Sequence, residues 1–278
     1  MTDAAQNLPR SEIRVAHPAT RVNSAMSRET AERLMNIVSP VVLIGIWELC
    51  ARLGMIDVRF FPAPSKIFGV MWQMIQNGLL EKHLWASLQR LFWGFLWGGI
   101  PALVLGVAMG MFRTLRMIIE PVIAATYPIP KSAILPLILL IFGLGEPSKV
   151  VMVATGVFFP ILINSMAGVL EINKIHFDVG RNFGASGFQV FRTVALPGAL
   201  PLIMTGVKLG IGIGLVLIAI AEMVGAKSGL GYMIWNAWEI LSVETMYVGL
   251  LTIAVLGLLF TLALNEIERL IVPWKASR

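Results

Sequence analysis

Charge is what this sequence has least of. Asp, Glu, Lys and Arg make up only 14% of its 278 residues, against about 25% in a typical soluble domain. Hydrophobic residues reach 57% and mean hydropathy is +0.79, so an ordinary water-soluble domain is excluded. Cysteine is nearly absent: Cys50 is alone, inside an apolar run, and no intramolecular disulfide can form. The three histidines, His17, His83 and His176, are far apart and no His-Glu-x-x-His occurs, so neither a metal site nor a nucleophile triad is expected. A phosphate-cradling Gly-x-x-x-x-Gly-Lys-Ser/Thr loop is also missing. Gly225-Ala-Lys-Ser lacks the glycine before lysine, and Gly210-Ile-Gly-Ile-Gly has no βαβ context. No catalytic, metal or nucleotide-cofactor residues are therefore expected in this chain. Residues 1–33 lack an early apolar core and carry Pro9 and Pro18. They read as a polar cytoplasmic arm rather than a signal peptide, with an amphipathic stretch at 27–35 leading into the membrane.

Long apolar runs dominate the remainder. A bilayer core needs about 20 apolar residues as a helix, at about 1.5 Å of rise per residue. Six stretches qualify: 35–53, 91–112, 118–144, 150–170, 202–224 and 248–267. The expected architecture is an all-α membrane protein of about six spans, with a membrane domain over 34–274 and a short tail at 275–278. The third stretch contains Pro121, Pro128, Pro130, Lys131 and Pro136. It cannot be one regular helix, and such a break is tolerated at membrane depth only against protein or a water-filled cavity.

Six spans put both termini on one side. That side would carry the basic residues of the arm, Arg113, Arg116, Lys174, Arg181, Arg192, Arg269, Lys275 and Arg278. The other side would carry fewer: Arg52, Arg59, Lys66, Lys82, Arg90, Lys149 and Lys227. The bias predicts cytoplasmic termini and accounts for the net charge of +6 without nucleic acid. The segment 65–92 has helical apolar spacing, at Ile67, Val70, Met71, Met74, Leu84, Leu88 and Leu91. It reads as interfacial helix or as a docking surface for an external partner.

Ionisable residues inside spans are functional candidates because burying charge is costly. Lys131, Lys208 and Glu222 qualify as pathway candidates, as does Gly210 on the Gly206/Gly210/Gly214 face; Glu48 reads as structural. Each glycine stripe, including Gly94/Gly98 and Gly106/Gly110, fits close helix packing first and a narrow pathway second.

Residues 171–201 form a connection too long to lack structure. Ile175, Val179 and Phe183 recur at four-residue spacing, predicting a helix over 172–183. Gly184 follows where a left-handed C-cap is needed. Ser186 and Gln189 then form a capping box, and a second helix carrying Phe188, Phe191 and Val194 is expected to stop near Leu196, before Pro197. The expectation is a helix–turn–helix with exposed phenylalanines beside Asp178, Arg181 and Arg192, suited to a groove in another subunit.

Asp178-Val179-Gly180, Gly184-Ala185-Ser186, Leu196-Pro197 and Pro201 resemble the coupling motif of permease subunits of bacterial ABC importers. Asp178 stands where that family has Glu, and Val179 and Gly180 stand for two alanines. Phe61-Pro62-Ala63-Pro64-Ser65, Ser87-Leu88-Gln89-Arg90, Pro128-Ile129-Pro130, Phe142-Gly143-Leu144-Gly145-Glu146, Ala221-Glu222-Met223 and Gly229-Leu230-Gly231-Tyr232 are similar to the branch importing nitrate, sulfonates and taurine. The resemblance implies a bacterial inner-membrane location and a homodimer with two ATP-binding subunits and an external solute-binding protein. ATP and Mg would sit on the ATPases. Asp178, Gly180, Arg181, Gly184, Ala185, Ser186, Phe188, Leu196 and Pro197 would make the coupling contact. Two rivals are weighed: a secondary transporter, which usually shows an internal repeat not visible here, and a membrane enzyme, which would need clustered His, Asp or Glu.

Overall fold

The structure, a computed structural model, describes residues 23–274, except the side chains of 23–34, 36 and 37. Residues 1–22 of the expected arm and the expected tail 275–278 lie outside the described residues; residues 23–33 are helical and open the first helix. Helices are the regular elements among the described residues: α1 (Asn23–Arg52), α2 (Pro64–Gln76), α3 (Leu79–Met111), α4 (Arg113–Thr126), α5 (Leu135–Phe142), α6 (Glu146–Leu170), α7 (Lys174–Asn182), α8 (Gly187–Val190), α9 (Leu196–Met223), α10 (Leu230–Glu239) and α11 (Val243–Ile271). A 3₁₀ turn, Lys131–Ile134, precedes α5, and a π-helical stretch, Phe191–Ala195, joins α8 to α9.

Among the described residues, four helical runs are long and apolar enough to cross a bilayer: Leu79–Met111, Glu146–Leu170, Gly187–Met223 and Val243–Ile271. Arg113–Thr126 and Lys131–Phe142 pass the same test as a pair, bent by 85°. The prolines at 128 and 130 lie in this break, as expected of a segment that cannot be one helix. The expected first span falls on α1, whose described apolar side chains, such as Leu43 at 65% exposure, face outward. Glu48 of α1 accepts hydrogen bonds from the Ser65 amide (2.9 Å) and hydroxyl (2.8 Å) and from Arg52 (2.6 Å). It ties α1 to the first turn of α2.

The segment 65–92 is divided differently from the interfacial reading. The chain turns at Asn77 and Gly78, and from Leu79 onward it is already the long helix α3. Lys82 and Arg90 interrupt the apolar run, which is why hydropathy alone places the start of the span at 91. Arg90 and Lys149, counted on sequence with the outer loops, are buried at 4% and 1% exposure.

The core is the α3–α6–α9 sandwich, with α6 in the centre. Small residues set its spacing. A Cβ at Gly106 of α3 would stand 2.5 Å from the Leu162 carbonyl of α6, and one at Gly206 of α9 would stand 2.8 Å from the Pro160 carbonyl. Val153, Val157, Ile161 and Leu162 of α6 fill the contact and are at most 2% exposed. The glycine stripes thus serve packing. The starts of α3 and α6 and the end of α9 share one end of the bundle. The 171–201 segment, between α6 and α9, occupies the other.

Candidate functional site

Two features stand out, one at each end of the bundle. At the first, Asn173 caps α7 by accepting from the Ile175 amide (3.0 Å). Ile175, Val179 and Phe183 (88% exposed) form an uncovered apolar ridge, continued by Phe188. Phe177 and Phe191 point the other way, packing against the cluster of Val107, Val169, Ala195, Ala199 and Ile203. The segment is therefore anchored by one set of aromatics and presents another.

The turn closes as the sequence predicts. Gly184 has φ 73°, its amide donates to the Arg181 carbonyl (2.9 Å), and the Ala185 amide donates to the Gly180 carbonyl (3.0 Å). This pairing satisfies the last carbonyls of α7 and calls for a glycine at the left-handed position. Ser186 Oγ accepts from the Gln189 amide (3.3 Å), and Gln189 Oε1 accepts from the Ser186 amide (2.7 Å), so the capping box is present. Asp178, Arg181, Ser186 and Phe188 are exposed, while Gly180, Ala185, Leu196 and Pro197 are half-buried. A Cβ at Gly180 would meet Val190 at 3.5 Å, an ordinary contact, so space does not demand glycine there.

One expectation fails. The second helix does not stop near Leu196; Gly187–Met223 is a single helical run. The π-helical stretch absorbs the proline. Pro197 falls in the first turn of α9, where its missing N–H is harmless, and the Leu196 amide is satisfied by the Phe191 carbonyl across the wider turn. The 171–201 segment is thus continuous with a membrane-length helix.

At the opposite end a buried polar network joins four elements. Glu222, near the end of α9, is fully buried. Its carboxylate accepts from Arg90 Nη1 of α3 (2.8 Å), the Gly231 amide of α10 (2.9 Å) and Ser87 Oγ of α3 (2.8 Å). Ser87 Oγ in turn accepts from the Leu230 amide (2.8 Å), and His83 Nδ1 accepts from the Gly229 amide (3.1 Å). Arg90 also donates from Nη1 to the Ser228 carbonyl (2.6 Å), and from Nε and Nη2 to Glu146 at the start of α6 (2.5 and 2.6 Å). Lys149 Nζ donates to the Leu144 carbonyl and, at 3.4 Å, to that of Gly225. Arg90 and Lys149 balance Glu146 and Glu222, as buried charges require. Gly229 has φ 117°, and a Cβ there would overlap the Glu222 carboxyl group.

Of the pathway candidates, Glu222 belongs to this network and the others lie apart. Lys208 Nζ is held by Asn265 Oδ1 (2.6 Å) and Glu268 of α11. Lys131 Nζ donates to the Thr126 and Tyr127 carbonyls (3.0 and 3.3 Å), freed by the break after α4, and sits 4.0 Å above the Phe159 ring. Gly210 faces Val157 and Ile161 of α6. Sequence reasoning had no functional reading for Arg90, Glu146, Ser87 or His83. The only signal is that Ser87, Arg90, Glu146, Glu222 and Gly229–Gly231 lie within the short landmark strings, and the fold gathers these residues at one place; His83 lies in none of the strings. Among the described residues no cluster of His, Cys, Asp and Glu could hold a metal ion.

Comparison with known proteins agrees with this architecture. Residues 102–276 match the family described as binding-protein-dependent transport system inner membrane component. The taurine transport system permease protein TauC of Escherichia coli (strain K12) is 33% identical over 245 residues, covering 86% of this chain and 89% of that one. The riboflavin transport system permease protein RibX of Chloroflexus aurantiacus is 33% identical over 263 residues, covering 94% and 98%. Among solved structures, an inward-facing conformation of the MetNI methionine ABC transporter aligns with TM-score 0.52 at 24% identity, covering 69% of this chain and 95% of that one. That likeness concerns the fold alone.

Proposed function

The chain belongs to the family of binding-protein-dependent transport system inner membrane components, and from that premise we propose that it is the gate and lever of an ATP-driven importer for a small anion. It is a transport permease subunit, not a catalyst. The observation that carries the lever reading is the unbroken run Gly187–Met223. Phe188 of the exposed ridge lies in the first turn of that run, and Ile175, Val179 and Phe183 reach it through the Gly184 turn, so a partner that grips the ridge holds the end of a membrane-length helix. An amphipathic helix seated in a groove is a recurrent means of joining two proteins. The partner in this reading is a pair of ATP-binding subunits, which hold ATP and Mg. Asp178, Gly180, Arg181, Gly184, Ala185, Ser186, Phe188, Leu196 and Pro197 form or shape the contact.

The complete assembly in this reading is a homodimer in the bacterial inner membrane, with two ATPases inside and a solute-binding protein outside. Helix α1 supplies the sixth span and both termini are cytoplasmic. Small-anion cargo is supported by the buried Arg90 and Lys149 at the outer end and by the likeness to TauC. Identity alone does not choose the cargo, because RibX is equally similar and is named for riboflavin. The test is uptake into proteoliposomes holding this chain, its ATPase and its binding protein. Sulfonate uptake should need internal or external ATP on the ATPase face and continue without an ion gradient. Uptake driven by a gradient with no ATP would instead establish a secondary transporter and overturn the reading.

A further inference from the structure

We propose that Arg90 is an anion-binding residue of the pathway and that Glu146 occupies its site in the conformation described, to be displaced by a sulfonate or similar oxyanion. The proposal deepens the importer reading and rests on it for the identity of the anion. The guanidinium has two unlike faces. Its inner contacts, Glu222, the Ser228 carbonyl and Ser228 Oγ (3.3 Å), come from a carboxylate with no exposure and from neighbouring loop atoms. Its outer fork, Nε and Nη2, is satisfied by the two oxygens of Glu146 at 2.5 and 2.6 Å. The Arg90 side chain is 5% exposed, whereas that of Glu146 is 68% exposed. The outer partner can thus leave into solvent while the inner one cannot.

The geometry and the charge select the replacement. A planar fork donating two parallel N–H bonds suits any group with two coplanar oxygens, such as a carboxylate or two oxygens of a sulfonate. With Glu146 withdrawn, Arg90, Lys149 and Glu222 are left with one excess positive charge in a buried site. A monoanion neutralises that charge, and a neutral solute does not. Glu146 is also placed to move. It is the first residue of α6, and the carbonyls of Leu144 and Gly145 before it are held by Lys149 Nζ and Ser148 Oγ. The movement is therefore a rotation of the exposed Glu146 side chain into solvent, which leaves the start of α6 in place.

The direct test is thermal unfolding of the full-length chain in detergent, with ethanesulfonate as the probe and ethanesulfonamide as its neutral control. Glu146→Gln removes the resident carboxylate, so ethanesulfonate at ten or more times its dissociation constant should raise the melting temperature by about 2–4 °C, and the sulfonamide should not. Adding Arg90→Lys, which keeps the charge but loses the fork, should abolish the response. Should Glu146→Gln not fold, Glu146→Asp, with a shorter reach to the fork, should show a smaller response of the same kind. A folded Glu146→Gln or Glu146→Asp chain with no response, or an equal response in the Arg90→Lys double variant, overturns the proposal. Uptake separates this from the importer reading. If the wild-type assembly moves no sulfonate while Glu146→Gln still binds it, the cargo assignment fails and the site stands. If it moves sulfonate and Arg90→Lys leaves the KM and maximal rate unchanged, the site fails and the importer stands.

Discussion

Arg90 and Glu222 are 132 residues apart in the chain and meet at 2.8 Å, both buried. Removing one partner leaves the other charged in a low-dielectric site, which costs about 3–5 kcal/mol. Arg90→Met should therefore lower the melting temperature sharply. Arg90→Met with Glu222→Met should recover a large part of the loss, because a buried pair replaced by apolar groups is often neutral. Thermal unfolding of the wild type and the two variants in one detergent checks this; a double variant no better than the single would mean that the hydrogen bonds to Ser87 and Gly231, not the charges, hold the end together.

Gly229 separates backbone strain from contact. Gly78 and Gly229 both have positive φ, 71° and 117°, but a Cβ at Gly78 would enter open space and one at Gly229 would meet the Glu222 carboxylate. Gly78→Ala should cost about 1–2 kcal/mol from the left-handed conformation alone. Gly229→Ala should cost more and lose further stability little when Glu222→Gln is added, since the two changes damage one network. Additive losses in the double variant would show that Gly229 acts through its backbone only.

At the other end, Gly184→Val should uncouple ATP hydrolysis from transport or disassemble the complex, with the spans still inserted. Nothing obstructs a side chain at Gly184, so the damage comes entirely from φ 73°, which a β-branched residue adopts at high cost. Gly180→Ala, four residues earlier, should be tolerated and can stabilise α7 by up to about 1 kcal/mol, because its Cβ meets Val190 at an ordinary 3.5 Å. ATPase stimulation by the two variants is the readout; normal coupling in Gly184→Val would refute the lever.

These cases show which parts of the fold a sequence discloses. The Gly184 turn and the Ser186/Gln189 box are local, so their signals lie within a few residues of each other. The broken segment at 113–142 was legible for the same reason, since proline acts on its own helix. Pro197 misled because a π-helical turn, a tertiary accommodation, carried the helix past it. Sequence counts Arg90 with the outer segment 65–92 because its neutralising carboxylates lie 56 and 132 residues away; only the folded bundle supplies them. The landmark strings hinted at importance without saying that they meet.

The two sets of phenylalanines give the sharpest test of the docking surface. Phe183 is 88% exposed and touches little, so Phe183→Ala should change stability by no more than about 0.5 kcal/mol. If the ridge docks into an ATPase groove, the same change should weaken copurification of the ATPase at least tenfold, since buried aromatic anchors dominate interface energy. Phe177, six positions earlier, packs inward against the cluster that includes Val107, Val169 and Ala199. Phe177→Ala should instead lower the melting temperature, by roughly 2–4 kcal/mol of stability, and weaken ATPase binding only through loss of the folded segment. Melting and copurification measured on both variants should therefore fall apart into opposite patterns. A Phe183→Ala chain that binds and stimulates the ATPase normally would leave the exposed ridge facing lipid, and the lever would have to be sought elsewhere on the molecule.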